Sequence, residues 1–123
     1  MTRRANPASD LLKACLELLR LRGARVLRVN NGAVKIGNRF VRFTDAEGVA
    51  DILGYLPGRL FAPPARHPVF CAVECKFGAG RLSKSQKAFL ANVRADGGFA
   101  WCARSVSELD EALTAFLRGE SYE

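Results

Sequence analysis

The stretch 69–76, Val-Phe-Cys-Ala-Val-Glu-Cys-Lys, constrains this chain more than any other, because strict alternation along a strand decides which side chains share a face. Val69, Cys71, Val73 and Cys75 fall on one side, and Phe70, Ala72, Glu74 and Lys76 on the other. A strand otherwise built of Val, Cys, Ala and Phe has little structural reason to carry a carboxylate and an ammonium two residues apart on one face, since burying that pair is costly. The pattern becomes intelligible if a divalent cation and a phosphate complete the site.

The remaining elements follow from local signals. Asn6-Pro7 reads as a helix cap and first helical position, and Leu11, Leu12, Cys15, Leu18 and Leu19 recur at helical spacing until Gly23. Residues 24–30 are strand-like, Asn31-Gly32 is a turn, 33–36 is extended, and Gly37-Asn38 turns into an alternating segment over 39–44. A β-meander is the expectation for 24–44. Residues 51–56 form a further short strand, and 57–68, with four prolines, is a loop. After Gly78-Ala79-Gly80, Ser83 with Gln86 makes a capping-box pattern opening a helix striped by Phe89, Leu90 and Val93, which Gly97-Gly98 ends. A strand over 99–103 precedes a last helix, opened by Ser105 with Glu108 and carried by Leu109, Ala112, Leu113, Phe116 and Leu117 until Gly119. The order is α, several β, α, β, α.

At 123 residues and 49% hydrophobic content, the chain fits one domain with a single core. No apolar run approaches bilayer length, and the start Met-Thr-Arg-Arg lacks the apolar stretch of a signal peptide, so no membrane partner and a cytoplasmic location are expected. Cysteines at 15, 71, 75 and 102 contain no Cys-x-x-Cys pair, and the one histidine, His67, lies in the proline loop as an exposed bystander. The cysteines therefore read as buried, reduced thiols rather than a zinc cage or a disulfide framework. Trp101 is expected to fill the core.

The net charge of +7 points to a polyanionic partner, because Lys and Arg that neutralise phosphates release counterions. Residues 1 to 94 hold 17 of the 19 basic side chains and only 6 of the 12 acidic ones, so the basic character belongs to the part that carries Glu74 and Lys76. Arg20, Arg22, Arg25 and Arg28 are candidates to track a backbone. Arg81, Ser83, Lys84 and Lys87, around the start of the helix after the Gly-rich turn, are further candidates for phosphate contact. A solvated helix face is the plainer reading of these lysines, and a helix cap that of Ser83.

Asp51 begins the strand that precedes 69–76, and an antiparallel pairing of the two brings its carboxylate towards Glu74. Alone, Asp51 would read as a strand start or a turn cap; the partnership with Glu74 reverses this. Two convergent carboxylates with the backbone carbonyl of Cys75 form a hard oxygen site suited to Mg²⁺ or Mn²⁺ rather than zinc. Such a cation polarises a phosphoryl oxygen and activates water, while Lys76 supplies a fixed positive charge beside it. Phosphodiester hydrolysis is the reaction this set supports.

Four ordered pieces sharpen the expectation: Asn30-Asn31-Gly32-Ala33, Gly48-Val49-Ala50-Asp51-Ile52-Leu53-Gly54, Val73-Glu74-Cys75-Lys76, and Gly80-Arg81-Leu82-Ser83-x-x-Gln86-x-x-Phe89. Together, over residues 10 to 106, they resemble the virus-type replication-repair nuclease (VRR-NUC) domain of the PD-(D/E)XK superfamily. The resemblance implies an α/β, restriction-endonuclease-like fold with a central mixed β-sheet flanked by α-helices, occupying 1–123 as one domain. It implies Asp51 and Glu74 as metal ligands, Lys76 as the catalytic lysine, and Gln86 as a residue orienting water or substrate. Asn31 joins the DNA-contacting candidates, although serving the turn is its plainer role. Ala50 stands where the family usually has proline, and the acid that the family carries on its first helix would be Asp10 or Glu17.

The implied activity is that of a metal-dependent, structure-specific endodeoxyribonuclease of the compact phage or prophage sort, in a bacterial or phage-infected cytoplasm. Similar small members look like homodimers that cut four-way (Holliday) junctions, and a two-fold dimer presents two equivalent sites to a two-fold substrate. The alternatives are flap or restriction-like cleavage on the same fold, an RNA-directed enzyme, and a non-catalytic DNA-binding module.

Overall fold

A computed structural model describes residues 6–29, 33–42 and 47–122. The first helix, α1 (Pro7–Leu21), opens on Asn6, whose side-chain oxygen accepts the Ser9 amide at 3.2 Å, and Pro7 loses nothing in a first turn whose amides lack helical partners. Five strands follow: β1 (Arg25–Arg28), β2 (Ala33–Ile36), β3 (Arg39–Arg42), β4 (Ile52–Leu56) and β5 (Val69–Cys75). Helix α2 (Lys84–Ala95), strand β6 (Phe99–Ala103) and helix α3 (Val106–Leu117) complete the chain. The hydroxyls of Ser83 and Ser105 accept the amides of Gln86 and Glu108, capping α2 and α3 at the positions their spacing predicts.

The architecture is α/β, a mixed four-stranded sheet with three helices about it. Strand order is β1-β4-β5-β6; β4 runs antiparallel to both neighbours, and β6 lies parallel to β5 across the α2 connection. The meander expected over 24–44 is not formed. β1 pairs with β4, and β2 and β3 form a hairpin of their own. Burial explains the difference. Val26 of β1 is covered in the core, whereas the hairpin sets Lys35 opposite Phe40 and Arg39 opposite Ile36, so each of its faces carries a cation and neither can join an apolar layer. The Gly37-Asn38 turn is formed; the Asn31-Gly32 turn lies outside the described residues.

On one side of the sheet Val26, Ile52, Leu56, Cys71, Val73, Phe99 and Ala103 pack against Leu12, Cys15 and Leu19 of α1 and Leu109, Leu113 and Leu117 of α3. The other side is arranged in rows by the strand registers. Arg25, Tyr55 and Phe70 cross one end of the sheet, and Leu27, Leu53, Ala72 and Ala100 cross its middle. One further step brings Asp51 beside Glu74, with Cys102 next to it on β6. α2 lies over the middle row, where Leu90 and Val93 meet Ala72 and Ala100. The two alanines and Gly98 permit this close seat: a Cβ at Gly98 would stand 2.9 Å from the Phe70 carbonyl oxygen and 2.7 Å from a Val93 methyl.

Arginines close both margins of the sheet. Arg20 donates from Nε and Nη2 to the Val26 carbonyl at 3.2 and 3.1 Å, and Arg94 donates from Nε to the Ala100 carbonyl at 3.0 Å. Arg94 also lies over the ring of Tyr122, 4.7 Å from its centroid, within an aromatic group formed by Phe99, Trp101, Phe116 and Tyr122. Trp101 is half-buried at the edge of the core rather than inside it. All four cysteines are free thiols; Cys15 and Cys71 are buried, while Cys75 and Cys102 are only half-buried, short of the full burial expected. Among the described residues no helix is long and apolar enough to cross a membrane.

Candidate active site

Antiparallel pairing of Ile52 with Val73 carries Asp51 to the position opposite Glu74, where β4 begins and β5 is about to end. Backbone bonds fix Asp51 on both sides: its carbonyl accepts the Val29 amide at 2.7 Å, and its Oδ2 accepts the Cys75 amide at 2.9 Å. The segment leading to it is held just as closely. Gly48, at φ +82°, rests against the first turn of α2, where a Cβ would stand 2.4 Å from the Ser85 carbonyl carbon.

Glu74 is the one buried charged residue among those described, at 3% exposure. Its Oε1 accepts a hydrogen bond from Gln86 Nε2 at 3.2 Å and lies 3.9 Å from Lys76 Nζ. Its Oε2 is buried and has no hydrogen-bond donor. Burial, followed by the charge of the adjacent Asp51 carboxylate, pushes the Glu74 carboxyl up to about 8, with Lys76 pulling the other way. Asp51 and Glu74 are the pair of carboxyl groups here that could hold a hard cation.

Gln86 resolves an either-or posed by the sequence. Its Oε1 accepts the Ser83 amide at 2.8 Å, completing the capping box, while its Nε2 reaches Glu74. The cap therefore aims the amide at the carboxylate, and one side chain serves both ends. Ser83 is a cap, and Arg81, Lys84 and Lys87 are exposed around the start of α2. Cys75 meets Asp51 through its amide N–H; on the far side of the strand a hydrogen bond between its thiol and that of Cys15, together with burial, drives the Cys75 thiol far above its ordinary value, and the same bond lowers that of Cys15 against the upward pull of burial.

Other sequence candidates are not brought to this spot. Asp10 is exposed in the first turn of α1, Glu17 is exposed farther along that helix, and neither gathers with Asp51 and Glu74: among the described residues no group of three or more His, Cys, Asp or Glu is placed to hold a metal. The reason is the layer they occupy. α1 packs on the opposite side of the sheet from Glu74, through Leu12, Cys15 and Leu19. His67 is exposed in its loop, and Asn31 lies outside the described residues. Arg22 pairs with Asp110 of α3, so it is a structural tie rather than a free cation.

Sequence reading missed Arg104. Just beyond β6, its Nη1 donates to the carbonyls of Gly80 at 2.7 Å and Gly78 at 3.2 Å, while the Lys76 amide bonds to the neighbouring Ala103 carbonyl at 3.0 Å. Arg104 thus clasps the turn between Lys76 and α2. Its partners are backbone carbonyls that any residues would supply, so no side-chain pattern announces it.

Compared with known proteins, the chain matches no family model, no curated protein and no solved structure.

Proposed function

We propose that the chain is a metal-dependent phosphodiesterase of the PD-(D/E)XK class, a single VRR-NUC-like domain that acts as a structure-specific DNA endonuclease. The observation that carries this reading is the juxtaposition of Asp51 and buried Glu74 on adjacent strands, with Lys76 Nζ 3.9 Å from Glu74 and one buried carboxylate oxygen lacking a donor. An unpaired buried acceptor costs about 1–3 kcal/mol, which favours a site completed from outside over a plain structural ion pair.

Asp51 and Glu74, with the Cys75 carbonyl, are the residues that would hold Mg²⁺ or Mn²⁺; the ion, when bound, supplies Lewis-acid charge to the phosphoryl group. The chain's own side chains do the positioning. Gln86 fixes the rotamer of Glu74 through its amide, and Asp51 is fixed by the Cys75 amide. Lys76 sets a positive charge where the phosphoryl oxygens gain negative charge, an interaction stronger in the transition state than in the ground state. Arg81, Lys84 and Lys87 flank the site and receive neighbouring phosphates. A homodimer offering two such sites fits a four-way junction as the preferred substrate.

The test is cleavage of an end-labelled four-way junction in Mn²⁺ by wild type and by Lys76→Ala. Paired symmetric nicks are expected from wild type, with a loss of about 10²–10³-fold in the variant, the size seen when one preorganised charge-stabilising donor is removed. Wild type that binds DNA but cuts no junction, flap or linear duplex in either metal overturns the reading in favour of a non-catalytic binding module.

A further inference from the structure

The row of side chains farthest from Asp51 and Glu74 raises a separate question. Tyr55 and Phe70 sit directly opposite one another on β4 and β5, facing the same side of the sheet as the carboxylates. Each is 47% exposed, although a cross-strand aromatic pair normally earns its place by burial. α2 passes over the middle row and leaves this one uncovered. Leu27, on the edge strand beside it, is 58% exposed.

What surrounds the pair says what covers it. Beside Phe70 a cavity of about 610 Å³ opens between β5 and α2, with Phe70 and Phe89 as aromatic walls and Asn92 and Asp96 as polar groups. That volume lies in the range of small-molecule sites, about 300–1,000 Å³. Asp96 repels a phosphate but accepts from a base N–H, the ring imino group of thymine included, so the cavity suits a base and not a backbone. Arg25 stands opposite Tyr55 at the other end of the row, where a second cavity of about 630 Å³ is lined by Arg20, Arg25 and Arg59, and none of its described lining residues is acidic. Aromatic faces thus lie in the middle, a base-sized recess on one side and the guanidinium groups of Arg25 and Arg59 on the other, Arg20 being held on the Val26 carbonyl.

We infer that this open half of the sheet is a stacking surface for unpaired nucleotides of a DNA strand, with bases against Tyr55 and Phe70 and phosphates towards Arg25 and Arg59. Both rows lie on the same two strands, four residues apart, so the separation is about 13 Å at 3.2–3.4 Å per residue. A stacked strand advances about 3.4 Å per base, which places the aromatic pair roughly four nucleotides from a phosphate at Glu74. The consequence for substrate choice rests on the nuclease reading: the preferred DNA carries a strand opened within a few nucleotides of the cut, as at a flap or a frayed branch point, rather than continuous duplex.

Binding is measured in EDTA, so that it is read apart from cleavage. The probes are a fluorescein-labelled oligothymidylate and a blunt duplex of equal length, the readout is anisotropy, and each protein's mass is checked by light scattering. Wild type is expected to favour the single strand. Tyr55→Ala and Phe70→Ala should each weaken oligothymidylate binding about 10-fold, within the cost of losing one base–aromatic stack, and leave the duplex affinity nearly unchanged. Tyr55→Phe keeps the ring and should retain binding, which guards against a misfolded alanine variant. Single-strand affinity unchanged in both alanine variants overturns the proposal, as does a fall from dimer to monomer in them, which would assign the face to self-association. If Tyr55→Ala and Phe70→Ala bind and cut like wild type while Lys76→Ala is inactive, the stacking surface fails and the nuclease survives.

Discussion

The two sides of the sheet are built to opposite rules. The side under α1 and α3 is a continuous apolar layer in which Leu19, Ile52, Leu56, Val73, Phe99, Leu109 and Leu113 are all fully buried. The side under α2 is covered only across its middle, with Asp51, Glu74 and Lys76 at one open end and Arg25, Tyr55 and Phe70 at the other. Same strands, same alternation, yet one set of faces pays for the fold and the other is released from doing so. A buried carboxylate such as Glu74 is tolerated only where a neighbouring helix can hand it a donor and the rest of its demand can be met from outside.

Three measurements press on that contrast. The largest effect is expected from Leu113→Ala, which empties a fully buried position on the closed side and should cost about 2–5 kcal/mol in urea unfolding. An equal loss from Lys76→Ala, on the open side, would erase the distinction; that variant should lose under about 2 kcal/mol, less than Leu113→Ala.

Next comes a pH effect. The folded state holds the Glu74 carboxyl at about 8, above its ordinary value of 4.5, so the protonated form is the one that the fold favours. Its contribution is fully present below about pH 4.5 and is lost as pH rises through 8, amounting to no more than a few kcal/mol in metal-free protein. Glu74→Gln, which carries no charge, should match wild type near pH 4.5 and exceed its melting temperature at pH 8. Mn²⁺ should raise the wild-type value at pH 8 and leave the variant's unmoved. Parallel pH profiles for the two proteins would show that the open side imposes no electrostatic cost.

The smallest effect concerns Arg104. Replacing it with Ala should change stability by under about 1 kcal/mol, since its side chain is exposed, yet raise KM for DNA more than it lowers kcat by loosening the turn that presents Arg81 and α2. Both bonds leave one nitrogen, so Arg104→Lys, whose ammonium carries three donors, should recover part of the effect. A pure loss of kcat would place Arg104 in the chemistry instead.

Much of this was legible from residues in order along the chain. Helix caps are local, and Asn6-Pro7, Ser83 with Gln86, and Ser105 with Glu108 all begin helices where their spacing predicts. The alternation of 69–76 was equally readable, because period two assigns faces without knowledge of neighbours, and so Glu74 and Lys76 came out on one side. Strand partnership was not. β1 skips the intervening hairpin to join β4, a choice decided by which segment can bury Val26, and the turn signals at 31–32 and 37–38 carry no information about it. Gln86 was half legible: its cap role is written locally, while its reach to Glu74 depends on how α2 lies over the sheet. The choice between Asp10 and Glu17 was not legible, because helical spacing gives a face but not the layer to which that face belongs, and both lie exposed on α1.

Consider finally the guanidinium groups of Arg20 and Arg94 at the outer strands. Each occupies a main-chain acceptor that an incoming strand from another molecule would need in order to zip onto the row of peptides. Oligomers built by extending the sheet are thereby disfavoured, as are amyloid-like stacks. Association through this four-stranded sheet is thereby steered towards side-chain surfaces, where specificity can be tuned by single substitutions rather than dictated by the peptide backbone.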